Sequence, residues 1–397
     1  RRAVRSTPGR STQPLWRAAS PIRKHTRIAS RDKPLRDLYA TTVPSPHLPS
    51  SVPEPTPSRD RPTLAISIGD PGGIGPEVTL KSLADQARRA AARYRIYGSS
   101  AAMLDAARAA GIQPFWLRVN DEPSAILASA SHPLVLVDSD SSGAPPQDRG
   151  PSPRSGGRSF QYVEAAIADT RRDATDPLRA DAIVTAPISK EAWALAGHAE
   201  FPGHTELLAS RFNAPRTAMM FECPRLRVVL VTAHIPLSHV CESLTIERVL
   251  DTIELGHDAC RRLGVPIPRI AVCGVNPHAG EAGLLGDDEI HVIEPAMKLA
   301  RARDIDVRGP FSGDTVFARA LRGDVDLVVA MYHDQGLIPV KLLAFESAVN
   351  VTLGLPTVRT SPDHGTAFDI AGTNRADPGS MNAAIDLARR MCAPITP

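Results

Sequence analysis

No apolar run in this chain of 397 residues approaches the roughly 18 residues that a membrane-spanning helix needs, so no segment of it is expected to cross a bilayer. Cysteine is sparse. Cys223, Cys241, Cys260, Cys273 and Cys392 are odd in number and form no Cys-x-x-Cys pair, which favours reduced thiols in a cytoplasmic protein over a disulfide framework. No His-Glu-x-x-His occurs, so no helix carries the usual pair of zinc-binding histidines. The glycine loop at 69–76 fits neither Gly-x-Gly-x-x-Gly nor the Gly-Lys-Ser/Thr ending of a P-loop, and a standard Rossmann or Walker site is excluded there.

What is present divides unevenly. Residues 1–60 hold 12 Lys and Arg against 4 Asp and Glu, so the remainder, despite an overall charge of +3, is mildly acidic. Its basic residues are scattered, which argues against a nucleic-acid footprint on the body. Residues 1–61 are dense in Pro, Ser, Thr and Arg and cannot bury enough apolar surface to fold alone. An Arg- and Ser-rich start resembles a transit peptide, but proline at this density opposes the amphipathic helix such a peptide needs. A nucleic-acid-binding arm would need interleaved aromatics, which the segment lacks. A disordered extension is expected.

From Leu64 onward, strand-like apolar runs recur at 64–68, 95–97, 134–137, 182–185, 228–231, 270–273 and 327–330. Helical patterns lie between them, as at 77–93 and 157–171. This alternation predicts a doubly wound parallel α/β arrangement. A chain of this length is long for one core, and two domains are expected. The Ser-, Gly- and Pro-rich stretch 139–156 is a predicted surface loop.

Three histidines follow three of the apolar runs. They are His234 in Thr-Ala-His-Ile-Pro, His278 in Asn-Pro-His-Ala-Gly-Glu and His333 in Tyr-His-Asp-Gln-Gly. Ligands of parallel α/β sheets bind at the carboxyl ends of strands, so three imidazoles at three such ends can converge on one divalent metal despite their separation in sequence. A single histidine after a strand is more often packed or solvated; the joint pattern carries the reading. Lys190 follows the run 182–185, where it binds an anion, moves a proton or is simply solvated. Thr205, after His204, caps a helix or contacts a ligand. Asp314 sits in a Gly-Pro turn as a metal-supporting carboxylate or a helix cap. Lys341, Asn350 and Arg359 suit a carboxylate or phosphate. The polar, glycine-punctuated run 360–372 is expected to be a loop shaped around a ligand.

Five runs, taken in order, resemble the 4-hydroxythreonine-4-phosphate dehydrogenase family of vitamin B6 synthesis. They are Gly69-Asp70-Pro71-Gly72-Gly73-Ile74-Gly75-Pro76-Glu77, Gly203-His204-Thr205-Glu206, the His278 run, the His333 run and Asp363-His364-Gly365-Thr366-Ala367. The resemblance implies a homodimer of two-domain α/β subunits with an isocitrate/isopropylmalate dehydrogenase-like fold and an active site in the interdomain cleft at the dimer interface. It implies a first domain of residues 62–200 plus 350–397 and a second of 201–349. The cofactors it implies are NAD or NADP and one divalent ion, zinc, magnesium or cobalt, on His234, His278 and His333. His204, Thr205, Lys341, Asn350 and Arg359 would bind a small phosphorylated substrate, and His364, Gly365, Thr366, Ala367 and Asp369 the dinucleotide. Lys190 and Asp314 would be catalytic. The reaction implied is oxidation of the C3 hydroxyl of 4-phosphooxy-L-threonine, then decarboxylation. Same-fold enzymes of 4-phospho-threonate, 4-phospho-erythronate or aromatic cis-dihydrodiols carry alike motifs. A noncatalytic metabolite sensor would not need the three histidines, and a metal hydrolase would not need the 363–372 loop.

Overall fold

The computed structural model describes residues 61–140 and 149–393. The expected extension up to residue 60 and the centre of the 139–156 loop lie outside the described residues.

Twelve strands form one sheet. The amino-terminal five are β1 (Thr63–Ser67), β2 (Arg93–Gly98), β3 (Leu117–Val119), β4 (Leu134–Asp138) and β5 (Ala182–Thr185). The next five are β6 (Ala218–Cys223), β7 (Leu226–Leu230), β8 (Ile270–Cys273), β9 (Val307–Phe311) and β10 (Leu327–Ala330). The chain returns through β11 (Val349–Leu353) and β12 (Val358–Pro362). Their spatial order is β3-β4-β2-β1-β5-β12-β11-β6-β7-β10-β8-β9. Parallel pairing runs from β3 to β12 and again from β7 to β9, as expected. Between these two blocks, β11 is antiparallel to β12 and to β6, and β6 is antiparallel to β7. The two parallel blocks are therefore joined through an antiparallel centre that makes the sheet continuous.

Helices cover both faces of the second block, which explains why its inner strands β8 and β10 are apolar at every position rather than alternately. Val228 and Leu230 pack with Leu337 and Val340 of the helix His333–Ala344. Their neighbour Val229 turns the other way, to a core shared with Val249 and Ile253 of the helix Ile246–Arg262. Each such fully buried side chain contributes about 2 kcal/mol of hydrophobic stabilisation.

Two helices differ from expectation for local reasons. The pattern over 77–93 is split into Gly75–Ala84 and Gln86–Ala91, because Asp85 accepts hydrogen bonds from the amides of Ala87 and Arg88 and so starts a new helix. The helix expected at 157–171 begins earlier and spans Pro153–Thr170, with Pro153 in its first turn and the Ser152 hydroxyl capping the Ser155 amide. In the loop expected over 360–372, Thr360, Ser361 and Pro362 belong instead to β12 and are buried. Their polar side chains are satisfied or face a cleft; the Thr360 hydroxyl donates to the Ala384 carbonyl.

Candidate active site

The antiparallel centre of the sheet is the floor of a cleft of about 460 Å³. Register determines its composition. Asn350 lies opposite Ser361 on one side and Phe221 on the other, while Thr352 lies opposite Met219. Side chains two apart share a face, so Met219, Phe221, Asn350 and Ser361 line the floor together. Arg359 on β12 joins them. It is only 2% exposed and donates to the hydroxyls of Thr352 (2.9 Å) and Thr185 (2.7 Å). Both acceptors are neutral, and Nε has no partner. Burial lowers its pKa to about 10, with Glu206 opposing the shift, so the guanidinium is charged at neutral pH. A buried cation without a bonded carboxylate is costly, and an incoming anion would offset that cost.

The walls come from strand ends and from a helix. Lys190 opens the short helix Lys190–Leu195 beyond β5 and is exposed at the cleft, with Ser189 spent as its cap on the Ala192 amide. His204 and Thr205 lie in the first turn of the helix His204–Phe212. The cap position is Gly203, not Thr205 as a lone helix start would suggest, so the Thr205 hydroxyl remains for the cleft. His204 Nε2 is buried without a partner. Its pKa is held well below the usual value by burial, then by the charges of Arg359 and Lys190. The imidazole is therefore neutral at pH 7.

His234 and His333 meet in this cleft. Thr232 fixes the pairing: its amide and hydroxyl both donate to the Met331 carbonyl, at 3.1 and 2.7 Å. The ends of β7 and β10 are thereby tied together, and the two rings stand with centroids 5.5 Å apart. Burial, Lys190 and His333 lower the pKa of His234, which favours the neutral ring that a metal ligand requires. His333 Nδ1 contacts the Asp334 carboxylate at 2.7 Å, a partner of the kind that orients a ligating ring.

His278 is not part of this pair. It lines a neighbouring cavity of about 790 Å³ with Asp314, Asn276, Tyr332 and Gln335. It opens a turn in which His278, Ala279, Gly280, Glu281 and Ala282 all have positive φ, from 46° to 79°. That turn is pinned by Glu289, which accepts the amides of Val275 and Asn276 at 2.8 Å each. Asp314 also sits there, accepting the Ser312 hydroxyl. Among the described residues no three His, Cys, Asp or Glu side chains form one metal-sized cluster. The donors of one chain thus fit a divalent ion in part, through the neutral imidazole of His234 and its neighbour His333, while His278 lines the other cavity.

Lys341 does not line the cleft; its Nζ bonds the Asp363 carbonyl (2.9 Å) and carboxylate (2.5 Å) at the start of the 363–372 loop. His364 and Gly365 reach the cleft. Thr366 faces away, accepting the Ile74 amide at 2.9 Å, and Ala367 follows with φ 41°. Asp369 is exposed. The glycine loop at 69–76 lies behind this segment and does not line the cleft. Gly69, at φ 71°, is pressed so closely on Pro187 that no Cβ would fit. The residues that sequence reasoning missed are Met219, Phe221, Glu206 and Thr185, whereas Ser361 fell in the run expected to shape a ligand loop. The only signal for Met219 and Phe221 was same-face alternation along strands whose pairing is not local.

The sequence over residues 90–388 matches the model of a family described as pyridoxal phosphate biosynthetic protein PdxA. A D-threonate 4-phosphate dehydrogenase of Cupriavidus necator is 46% identical over 326 residues, 82% of this chain and 95% of that protein. A 4-hydroxythreonine-4-phosphate dehydrogenase of Geobacter metallireducens is 46% identical, covering 83% of this chain and 96% of its own. A crystal structure of the latter enzyme from Klebsiella pneumoniae superposes with a TM-score of 0.72 at 40% identity, covering 84% of this chain and 98% of its own.

Proposed function

The chain belongs to the PdxA family, and from that premise we propose that it oxidises the C3 hydroxyl of 4-phosphooxy-L-threonine with NAD or NADP and releases 3-amino-2-oxopropyl phosphate and carbon dioxide, in pyridoxal 5'-phosphate synthesis in the cytoplasm. The observation that carries this reading is the gathering in one cleft of Arg359, which bonds no carboxylate, with Asn350, His204, Lys190, the His234–His333 pair, His364 and Gly365. Division of the body into domains at 62–200 plus 350–397 and 201–349 is part of the reading.

Arg359, with Asn350, whose buried Oδ1 is without a partner, binds one anionic end of the substrate. His204 and Thr205 bind the other end or its neighbouring hydroxyl. Lys190, once it has released its own ammonium proton to solvent, would accept the C3 hydroxyl proton, and the 363–372 loop would hold the nicotinamide dinucleotide, which when bound supplies the hydride acceptor. Loss of the carboxylate as carbon dioxide then leaves an electron pair at C2, which a proton fills. His234, His333 and His278 would hold a divalent ion, zinc, magnesium or cobalt, which when bound supplies Lewis acidity toward the C3 oxygen. Asp314, beside His278, supports that site.

The homodimer follows from the same reading. Leu237, Ile338 and Leu342 are 71%, 58% and 82% exposed, and all three line the cavity that holds His278. A partner subunit covering them would bury an apolar surface of the kind interfaces use and bring His278 toward the second cleft. Leu342→Glu is accordingly expected to sediment as a monomer and to lose at least about tenfold in turnover. A fully active monomer would remove the interface from the site.

Production of NADH or NADPH is measured with 4-phosphooxy-L-threonine beside 4-phospho-D-threonate, 4-phospho-D-erythronate and an aromatic cis-dihydrodiol. Highest kcat/KM on the first supports the reading. The Cupriavidus relative favours 4-phospho-D-threonate as the second reading, and preference for it would replace the first.

A further inference from the structure

Between β12 and the helix Gly379–Met391, residues 363–378 form neither helix nor strand. Holding so long a segment in one shape has a large entropic cost, and its positive-φ residues Ala367 and Asn374 (41° and 62°) persist only where surroundings over-determine them. The surroundings are the glycine loop and the helix Gly75–Ala84. The Ile74 amide donates to the Thr366 carbonyl. One turn on, the Glu77 carboxylate, 4% exposed, accepts the Ala376 amide at 2.8 Å and the Lys81 ammonium at 2.8 Å. Lys81 in turn donates to the carbonyls of Asn374 (3.1 Å) and Ala376 (2.8 Å).

An exposed Glu-Lys pair four apart on a helix is worth a few tenths of a kcal/mol. Here both partners are directed at main chain of another segment, nearly 300 residues away in sequence. We propose that Glu77 and Lys81 are positioning residues that clamp the carboxyl-terminal end of the 363–376 segment and so set the affinity for the nicotinamide dinucleotide, an inference that rests on assigning the 363–372 loop to that cofactor. Neither residue lines the cleft, so the clamp acts through the loop backbone and not by contact with substrate.

Lys81→Met keeps the aliphatic stem and removes the donors to both carbonyls. The expected result is a Kd for NAD or NADP, by titration calorimetry, raised about tenfold, with the KM for dinucleotide rising in step and the KM for phosphorylated substrate moving less than about twofold. Lys81→Arg, which retains donors, is expected to recover to within about threefold of wild type. Glu77→Gln has the same shape and keeps an acceptor for Ala376; it is expected to weaken dinucleotide binding by about threefold and gives the measurement should Lys81→Met fold poorly. Wild-type dinucleotide affinity in both Lys81→Met and Glu77→Gln would overturn the clamp, as would a fall in kcat and Tm with dinucleotide affinity unmoved, the mark of a merely structural role. Wild-type protein that binds neither NAD nor NADP would overturn the loop assignment, and the clamp with it.

Discussion

Turnover of His234→Ala is expected to fall by about a thousandfold, equivalent to about 4 kcal/mol of transition-state stabilisation, and bound divalent metal to fall with it. His234 is the imidazole for which the fold arranges most. Thr232 ties its loop to the end of β10, burial, then Lys190 and His333, lower its proton affinity, and the His333 ring stands 5.5 Å away. His278→Ala is expected to show the same two losses although its side chain lies in the neighbouring cavity of its own chain. The two variants together test how a site of three histidines is completed. If each site draws on two subunits, random mixing of the inactive His234→Ala and His278→Ala proteins restores about a quarter of wild-type activity, because half the dimers are hybrids and each hybrid keeps one intact site. No recovery on mixing would place all ligands in one chain. Full turnover by a metal-free His234→Ala protein would sink the metal reading itself.

The second large effect belongs to the floor of the cleft. Arg359→Met, which fills similar volume without charge, is expected to raise the KM for the phosphorylated substrate about a hundredfold, or about 2.7 kcal/mol, while kcat changes far less. Its guanidinium is buried against two hydroxyls with Nε unbonded, so a substrate anion would balance it. Two further readouts separate this role from packing. With a pKa of about 10, Arg359 is charged below that pH and loses its charge as pH rises through it, so wild-type KM should climb near pH 10 and the variant's should not. Removing a buried cation bonded only to neutral groups also relieves a desolvation cost, so the variant should melt no lower than wild type. An unchanged KM would take Arg359 out of the anion site.

Much of the architecture was legible in one dimension. Runs such as 182–185 and 270–273 coincide with β5 and β8, because apolar β-branched stretches bounded by polar turns state their own conformation. Local chemistry also explains what was misplaced by a few residues. Asp85 within a helical pattern is a cap, and Thr360-Ser361-Pro362 looks like loop because its polar side chains satisfy themselves only against residues far along the chain, such as Ala384.

The sequence alone determined that three imidazoles follow three strands, that Lys341, Asn350 and Arg359 lie beyond the third of them around the apolar run 349–353, and that a glycine-rich loop and a His-Gly-Thr-Ala loop exist. Those are properties of short windows, where steric and hydrophobic preferences act between neighbours. Only the tertiary structure decided that β11 and β6 run antiparallel between two parallel blocks, that His333 rather than His278 stands beside His234, and that Lys341 holds Asp363. Direction of pairing and the meeting of side chains depend on which distant strands share an edge, and an apolar run carries the same burial energy whichever way it points.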